Sequence, residues 1–243
     1  MKAKLRSALT FVEMVVVISL FSFILLIFVT SSDLIRSSEI NAQYSQFIKY
    51  ESAILNFVDS YKELPGDFSI AYQIWGSDCS VNSSDCNGNG DSVIGGLNQS
   101  RERNMAWLHL NLAKMIGSYY NGGTSVIAGE TVPFGKISNS MITFPSNYNS
   151  DGSSTLNGYN TLYLVANDDS CVERPIFSSH DLYIIDKKFD DGLPTGKISA
   201  GENDSCDPIL QGCYNSVQNQ YINVSDSKNL RCFLSFATKF SFM

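Results

Sequence analysis

Positive charge, histidine and, over one long stretch, glycine and proline are what this sequence has little of. Of 243 residues, 17 are Lys or Arg against 24 Asp or Glu, a formal charge of −7. No basic stripe is available to neutralise phosphates, which argues against nucleic acid as a partner. The only two histidines, His109 and His180, are not at metal spacing, so a metal hydrolase lacks its paired ligands and His109 reads as structural. Gly196-Lys197 is followed by Ile198, where a phosphate loop needs Ser or Thr to meet magnesium. The Ser225-x-x-Lys228 match sits in an Asn/Ser/Asp-rich stretch without companion motifs. The chain is therefore read as not an enzyme.

Neither Gly nor Pro occurs from Leu9 to Tyr61, which predicts one uninterrupted helix. Its first part, Leu9 to Thr30, is apolar except for Glu13 and a few hydroxyl residues. As a helix that run would be about 33 Å long, enough to cross a bilayer core. Lys2, Lys4 and Arg6 precede it, so the positive-inside rule keeps residues 1–8 in the cytoplasm and exports the chain beyond the run. A secretory signal peptide is the competing reading; the length of the run, the poor cleavage site at Ser31-Ser32 and the charge within it oppose that reading. Glu13 would cost on the order of 2.5 to 3.5 kcal/mol inside a membrane, so it calls for a partner, a function or a path to the headgroups.

Beyond Thr30, apolar residues recur at Ile40, Tyr44, Phe47, Ile48, Leu55 and Val58 with three- and four-residue spacing. This predicts an amphipathic half, residues 31–62, whose apolar stripe carries a sheet; a coiled coil is the alternative. Leu64-Pro65-Gly66 stops the helix near Tyr61 or Lys62. Residues 63–243 read as one exported α+β domain. A helix is expected over Arg101 to Ile116, with Met105, Leu108, Leu112 and Met115 on one face and Gly117 as its stop. Strands are expected at Met141 to Phe144, Thr161 to Val165 and Leu230 to Phe236. Ser178 with Asp181 suggests a helix cap, placing Leu182, Ile185 and Phe189 on one face, although that segment also fits a strand.

All six cysteines, Cys79, Cys86, Cys171, Cys206, Cys213 and Cys232, lie in the exported part and read as disulfides. The equal short gaps favour Cys79–Cys86 and Cys206–Cys213, leaving Cys171–Cys232, though counting alone leaves other connectivities open. Zinc would need closer cysteine pairs. Asn87, Asn89 and Asp91 alternate in a Gly-rich loop with Asp85 just upstream and Ile94 at an anchoring position, a candidate calcium site. Ser92 stands in place of the turn Gly and no Glu closes the loop, so a stapled Asn/Gly turn is the competing reading. Asp186, Asp190 and Asp191 read as a solvated helix end.

The stretch Ser7-Ala8-Leu9-Thr10-Phe11-Val12-Glu13-Met14-Val15-Val16-Val17-Ile18 resembles the cleavage and methylation signature of type IV prepilins and type II secretion pseudopilins. The words Leu64-Pro65-Gly66-Asp67, Asn87-Gly88-Asn89-Gly90-Asp91 and Asp190-Asp191-Gly192-Leu193-Pro194-Thr195-Gly196, with Ala106, Trp107, His109 and Leu110, are similar to phrases of a prepilin-like subgroup. The resemblance implies a pilin-like fold, with the long helix packed on an irregular antiparallel sheet. It implies cleavage after Ala8 by a prepilin peptidase, methylation of Leu9, and a role for Glu13 in assembly. Its implied partners are other pilin or pseudopilin subunits, the peptidase/methyltransferase and an inner-membrane assembly platform. The family usually has Gly before the cut and Phe after it, and the departure at Ala8 and Leu9 points to a minor subunit. The competing function is a membrane-tethered periplasmic binding or enzymatic domain whose anchor is not cleaved.

Overall fold

The structure, a computed structural model, is described over residues 10–80, 82–95, 101–145, 160–167, 174–201, 212–215, 217–222 and 232–239; side chains at 26–33 and at 83 lie outside that description. The chain divides into two compact units, Met1–Ala42 and Gln43–Met243. Helix α1, Phe11–Tyr61, is continuous as its lack of Gly and Pro requires, and contributes to both.

In the first unit, Thr10 caps α1: its carbonyl accepts the Met14 N–H and its hydroxyl the Glu13 N–H, at 3.1 and 3.4 Å. The large apolar side chains described between Phe11 and Leu25 are all exposed, Phe11 by 84%. Among the described residues no helix is long and apolar enough to cross a membrane; of the apolar run in the sequence, residues 26–30 have no described side chains.

In the second unit the buried face of α1 is Gln43, Phe47, Tyr50, Glu51, Ala53, Ile54 and Phe57. This corrects the expected stripe: Ile48 is exposed, Leu55 and Val58 are half-buried, and Tyr50, Ile54 and Phe57 carry the packing. The three- and four-residue spacing holds, but the face lies one residue around the helix from Ile48, a rotation of about 100°. Lys62 ends α1 with a left-handed φ of 66° just before Leu64-Pro65-Gly66.

The rest of the unit is α+β. Short helices α2, Ala71–Trp75, and α3, Ser83–Cys86, precede α4, Glu102–Leu112, and α5, Ser179–Phe189. Strands β1, Ser140–Thr143, β2, Leu162–Ala166, β3, Ile198–Gly201, and β6, Phe233–Phe236, form an antiparallel sheet in the order β1-β2-β6-β3. All four strands are buried along their whole length, with apolar residues and small hydroxyl residues such as Ser199 and Ser235 in place of the alternation of a half-exposed sheet. Strands β4, Tyr214–Asn215, and β5, Gln220–Tyr221, make a separate hairpin. None of α2, α3, β3 and this hairpin was legible as an element.

Two expected elements shift in detail. Helix α4 is buried on every side from Glu102 to Leu110 rather than on one face, and it ends before Gly117. Lys114 adopts a left-handed φ of 59°, with its N–H on the Asn111 carbonyl at 2.8 Å and the Met115 N–H on Leu110 at 2.9 Å. This is a Schellman stop with Lys where Gly is commonest. Helix α5 is a helix, not a strand: the Ser178 hydroxyl accepts the Asp181 N–H at 3.1 Å, and Leu182 and Ile185 are buried.

Aromatic rings join α1 to this layer. Phe47 stacks on Phe236 of β6 at 4.9 Å, Tyr44 on Phe189 of α5 at 4.2 Å, and Tyr50 meets Trp107 of α4 at 4.9 Å. Polar side chains hold both sheet edges to the helix. Gln43 accepts the Lys136 N–H and Gln46 donates to the Phe134 carbonyl ahead of β1; Lys197, ahead of β3, pairs with nearly buried Glu51 at 3.1 Å.

The disulfides confirm one expectation and correct the others. Cys79–Cys86 is present, but Cys213 bonds to Cys232, excluding both Cys206–Cys213 and Cys171–Cys232; Cys171 and Cys206 lie outside the described residues. Cys232 is held beside the start of α5 by its backbone bridge to Phe177, and Cys213 starts the hairpin. The bond therefore ties the β4–β5 hairpin to β6, a proximity that gap lengths do not encode. Replacing Cys213 and Cys232 together by Ser should lower stability by about 2 to 4 kcal/mol, as expected for a bridge of this loop size. Guanidinium unfolding of the variant checks this, and peptide mapping of the unreduced protein should return a Cys213–Cys232 linked pair.

Candidate functional site

The acidic and Asn/Gly-rich words of the sequence meet around the start of α4. Gly66 has a φ of 88°, and a Cβ there would lie 2.3 Å from the Glu102 carbonyl oxygen. A Cβ on Gly88 would lie 2.3 Å from the Asp67 backbone, and the Gly88 N–H donates to Phe68 at 3.0 Å. The two glycine words thus place two backbone segments in direct contact, which only residues without Cβ allow.

Buried side chains then satisfy the backbone that no strand or helix pairs. Asp67 accepts the N–H groups of Gly90, Asp91 and Ser92 at 2.6, 3.1 and 2.7 Å. Glu102 accepts those of Asn89 and Gly95, each at 3.1 Å. Asn160 accepts the Ile94 N–H at 2.7 Å and donates to the Ser92 carbonyl at 3.0 Å. His109, fully buried, accepts the Gly66 N–H on Nδ1 at 2.9 Å and donates from Nε2 to the Cys86 carbonyl at 3.0 Å. These partners fix its tautomer. Burial holds the imidazole neutral, with its pKa down at about 4. Burial also pushes Asp67 up to about 6, against the three N–H groups that favour its anion, and Glu102 up to about 8.

The calcium candidates all take part in hydrogen bonds within the loop or to its flanks. Asp85 pairs with Arg101 and accepts from Asn82 at 3.2 Å; Asn87 accepts the Tyr72 N–H at 2.8 Å. Asn89 donates to Asp91 at 2.7 Å and accepts its N–H, while Asp91 accepts the Val93 N–H at 2.9 Å. Each oxygen accepts a hydrogen bond that shapes the turn or its flanks, an arrangement that fits a stapled Asn/Gly loop. Asp67 and Glu102 are the residues that sequence reasoning missed; Asp67 had a signal in its place within Leu64-Pro65-Gly66-Asp67, and Glu102 had none beyond its place near the start of the expected helix.

Among the described residues, two groups bring three candidate metal donors within 4.8 Å of one another: Cys79, Cys86 and His109, and Asp186, Asp190 and Asp191. In the first, the cysteines are joined as a disulfide and His109 Nε2 carries its proton toward Cys86, leaving no donor set. In the second, each carboxylate accepts one N–H of the segment leading to β3: Gly192 on Asp186, Leu193 on Asp191 and Ile198 on Asp190. Asp190 and Asp191 are exposed as expected, but Asp186 is fully buried and accepts the Tyr221 hydroxyl at 2.6 Å. Burial raises Asp186 to about 7 and raises the Tyr221 phenol far above its ordinary value.

Ala8 and Leu9 lie outside the described residues, and Glu13 sits in the first turn of α1, where a carboxylate favours the helix dipole. No protein family profile, characterised protein or solved structure matches this chain.

The buried carboxyls set a pH dependence. A carboxyl with a raised folded pKa contributes stability that is full below its unfolded pKa and lost as pH rises through the folded one. His109, lowered, contributes stability that is lost only as pH falls from about 6.5 toward 4. From pH 6.5 to 9 the Glu102 and Asp186 contributions act, and stability should fall by on the order of 2 kcal/mol. Urea unfolding across that range measures the slope, and Glu102→Gln should remove most of it.

Proposed function

We propose that this chain is a minor pilin-like subunit of a type IV pilus or a type II secretion pseudopilus. In this reading a prepilin peptidase cuts after Ala8, and the subunit assembles through its N-terminal helix. The observation that carries this reading is helix α1 itself. One continuous helix of 51 residues presents exposed apolar side chains from Phe11 to Leu25, while from Phe47 to Phe57 it is the spine of a disulfide-bonded α+β unit. A contiguous apolar surface of this kind needs lipid or protein cover. The sequence supplies both readings of that cover: an apolar run of bilayer length before assembly, and neighbouring helices after it.

Glu13 gains its role from the same surface. In a packed helical core its carboxylate can pair with the amine of Leu9 on an adjacent subunit, which removes the cost of leaving either charge alone in a low-dielectric setting. The basic leader, with Lys2, Lys4 and Arg6, keeps the cut site on the cytoplasmic side. The partners are then other subunits of the same filament, the peptidase that also methylates, and an inner-membrane platform. The exported unit would fold in an oxidising compartment, as its disulfides require.

Mass spectrometry of the protein from a strain with an active prepilin peptidase should show N-methylated Leu9 as its first residue. An intact Met1 would overturn the reading in favour of an uncleaved anchor. Glu13→Gln should leave membrane association unchanged while reducing incorporation into sheared filaments by at least about tenfold, the equivalent of about 1.4 kcal/mol.

A further inference from the structure

Between α5, the loop after it and the β4–β5 hairpin lies a cavity of about 470 Å³, lined by Tyr183, Lys187, Asp191, Gly192, Leu193, Gln220 and Tyr221. Its volume falls in the range of about 300 to 1,000 Å³ typical of small-molecule sites, and its walls have their composition: ring and aliphatic faces with a few polar groups. The Tyr183 and Tyr221 rings stand 5.9 Å apart at 67°, so they form two walls of a corner. Tyr221 presents only its ring, because its hydroxyl is committed to Asp186.

Two polar side chains at the cavity, Lys187 and Gln220, are uncommitted, and a third, Asp191, is committed through one oxygen only. Here, among the described residues, the Lys187 ammonium makes only its contact over the Tyr183 ring, at 5.7 Å, and the Gln220 carboxamide makes no hydrogen bond. Asp191, also in the lining and exposed, uses one carboxylate oxygen on the Leu193 N–H. The lining thus offers one cation, one anion and one neutral group that both donates and accepts. An anionic ligand would meet Asp191 and the adjacent Asp190, and a cationic one would meet Lys187 already over the ring.

We infer that this cavity binds an uncharged pyranose, with a sugar face on the Tyr183 and Tyr221 rings and hydroxyls on Asp191, Lys187 and Gln220. Such a ligand has the required combination of an apolar face and several hydroxyls that donate and accept at once. The hairpin that supplies Gln220 and Tyr221 is fixed to β6 by Cys213–Cys232, and Thr195 meets Asn219 at 3.2 Å across the rim, so the walls are held in place before binding. The inference rests on the cavity and is independent of filament assembly.

The test is saturation-transfer NMR on the full chain in a detergent without a sugar headgroup. Its probes are the methyl glycosides of glucose, galactose and N-acetylglucosamine, and the disaccharides cellobiose, lactose and chitobiose. Transfer to ring protons of at least one probe is expected; a signal from the monosaccharides indicates a free sugar, and one confined to disaccharides indicates a glycan end. Tyr183→Ala and Gln220→Ala should each weaken that binding by about tenfold. Gln220 is exposed and its variant should melt as the parent does, so it decides the matter if Tyr183→Ala does not fold. No transfer to any probe, or transfer that the Gln220 variant leaves unchanged, would overturn the inference.

Discussion

The burial of one face of α1 against β6, α4 and α5 is the constraint on which the second unit depends. Phe47, Ile54 and Phe57 are at most 1% exposed, and each brings roughly 1.5 to 3 kcal/mol of burial. The sheet on which Phe47 stacks has only four strands of four or five residues, with every residue buried. Strands so short and buried at every residue have cover on both faces. The helix supplies part of it, and the polar clamps at Gln43, Gln46 and Glu51 fix its register over the two sheet edges.

So little regular structure leaves much backbone unpaired, and the domain meets that demand with buried side chains. Asp67 serves three N–H groups, Glu102 two, Asn160 one N–H and one carbonyl, and His109 one of each. Burying a carboxyl is costly, which is why burial raises Asp67, Glu102 and Asp186. Leaving those N–H groups orphaned would also be costly, at about 1 to 3 kcal/mol each. The glycine words and the acidic residues are therefore one device: Gly66 and Gly88 bring the segments into contact, and the carboxyls close the hydrogen bonds that result.

What the sequence made legible was what local chemistry dictates. The absence of Gly and Pro foretold α1, Leu64-Pro65-Gly66 its end, Ser178 the start of α5, and β-branched or aromatic runs the positions of β1, β2 and β6. What escaped was set by long-range packing. Ile48 and Tyr50 are equally plausible members of an apolar stripe until Trp107 selects Tyr50. Lys114 ends α4 because the chain reverses there, against its intrinsic preference for φ below zero. Cys213 meets Cys232 because a two-residue hairpin lies beside β6, and nothing in a gap length reports that. The Asp/Asn loop suggested a cation because oxygens alternate along it; in three dimensions those oxygens serve backbone N–H groups and neighbouring side chains.

The two parts of α1 answer to opposite rules, and this bears on the proposed filament role. From Gln43 onward its apolar residues other than Ile48 are buried or half-buried and its remaining exposed ones are polar, the arrangement of a helix finished within its own domain. From Phe11 to Leu25 the described side chains are apolar around the whole circumference, with Glu13 the only charge. A helix apolar on every side has no preferred face, so it can be covered equally by lipid or by a ring of similar helices from other subunits. That indifference is what transfer from a bilayer into a filament would need. A single carboxylate then supplies what the apolar surface lacks, because among neighbours that otherwise differ little in energy only one axial position brings Glu13 to an opposite charge. On that reading the register of the assembly is set by one residue, and the cover around it by all the rest.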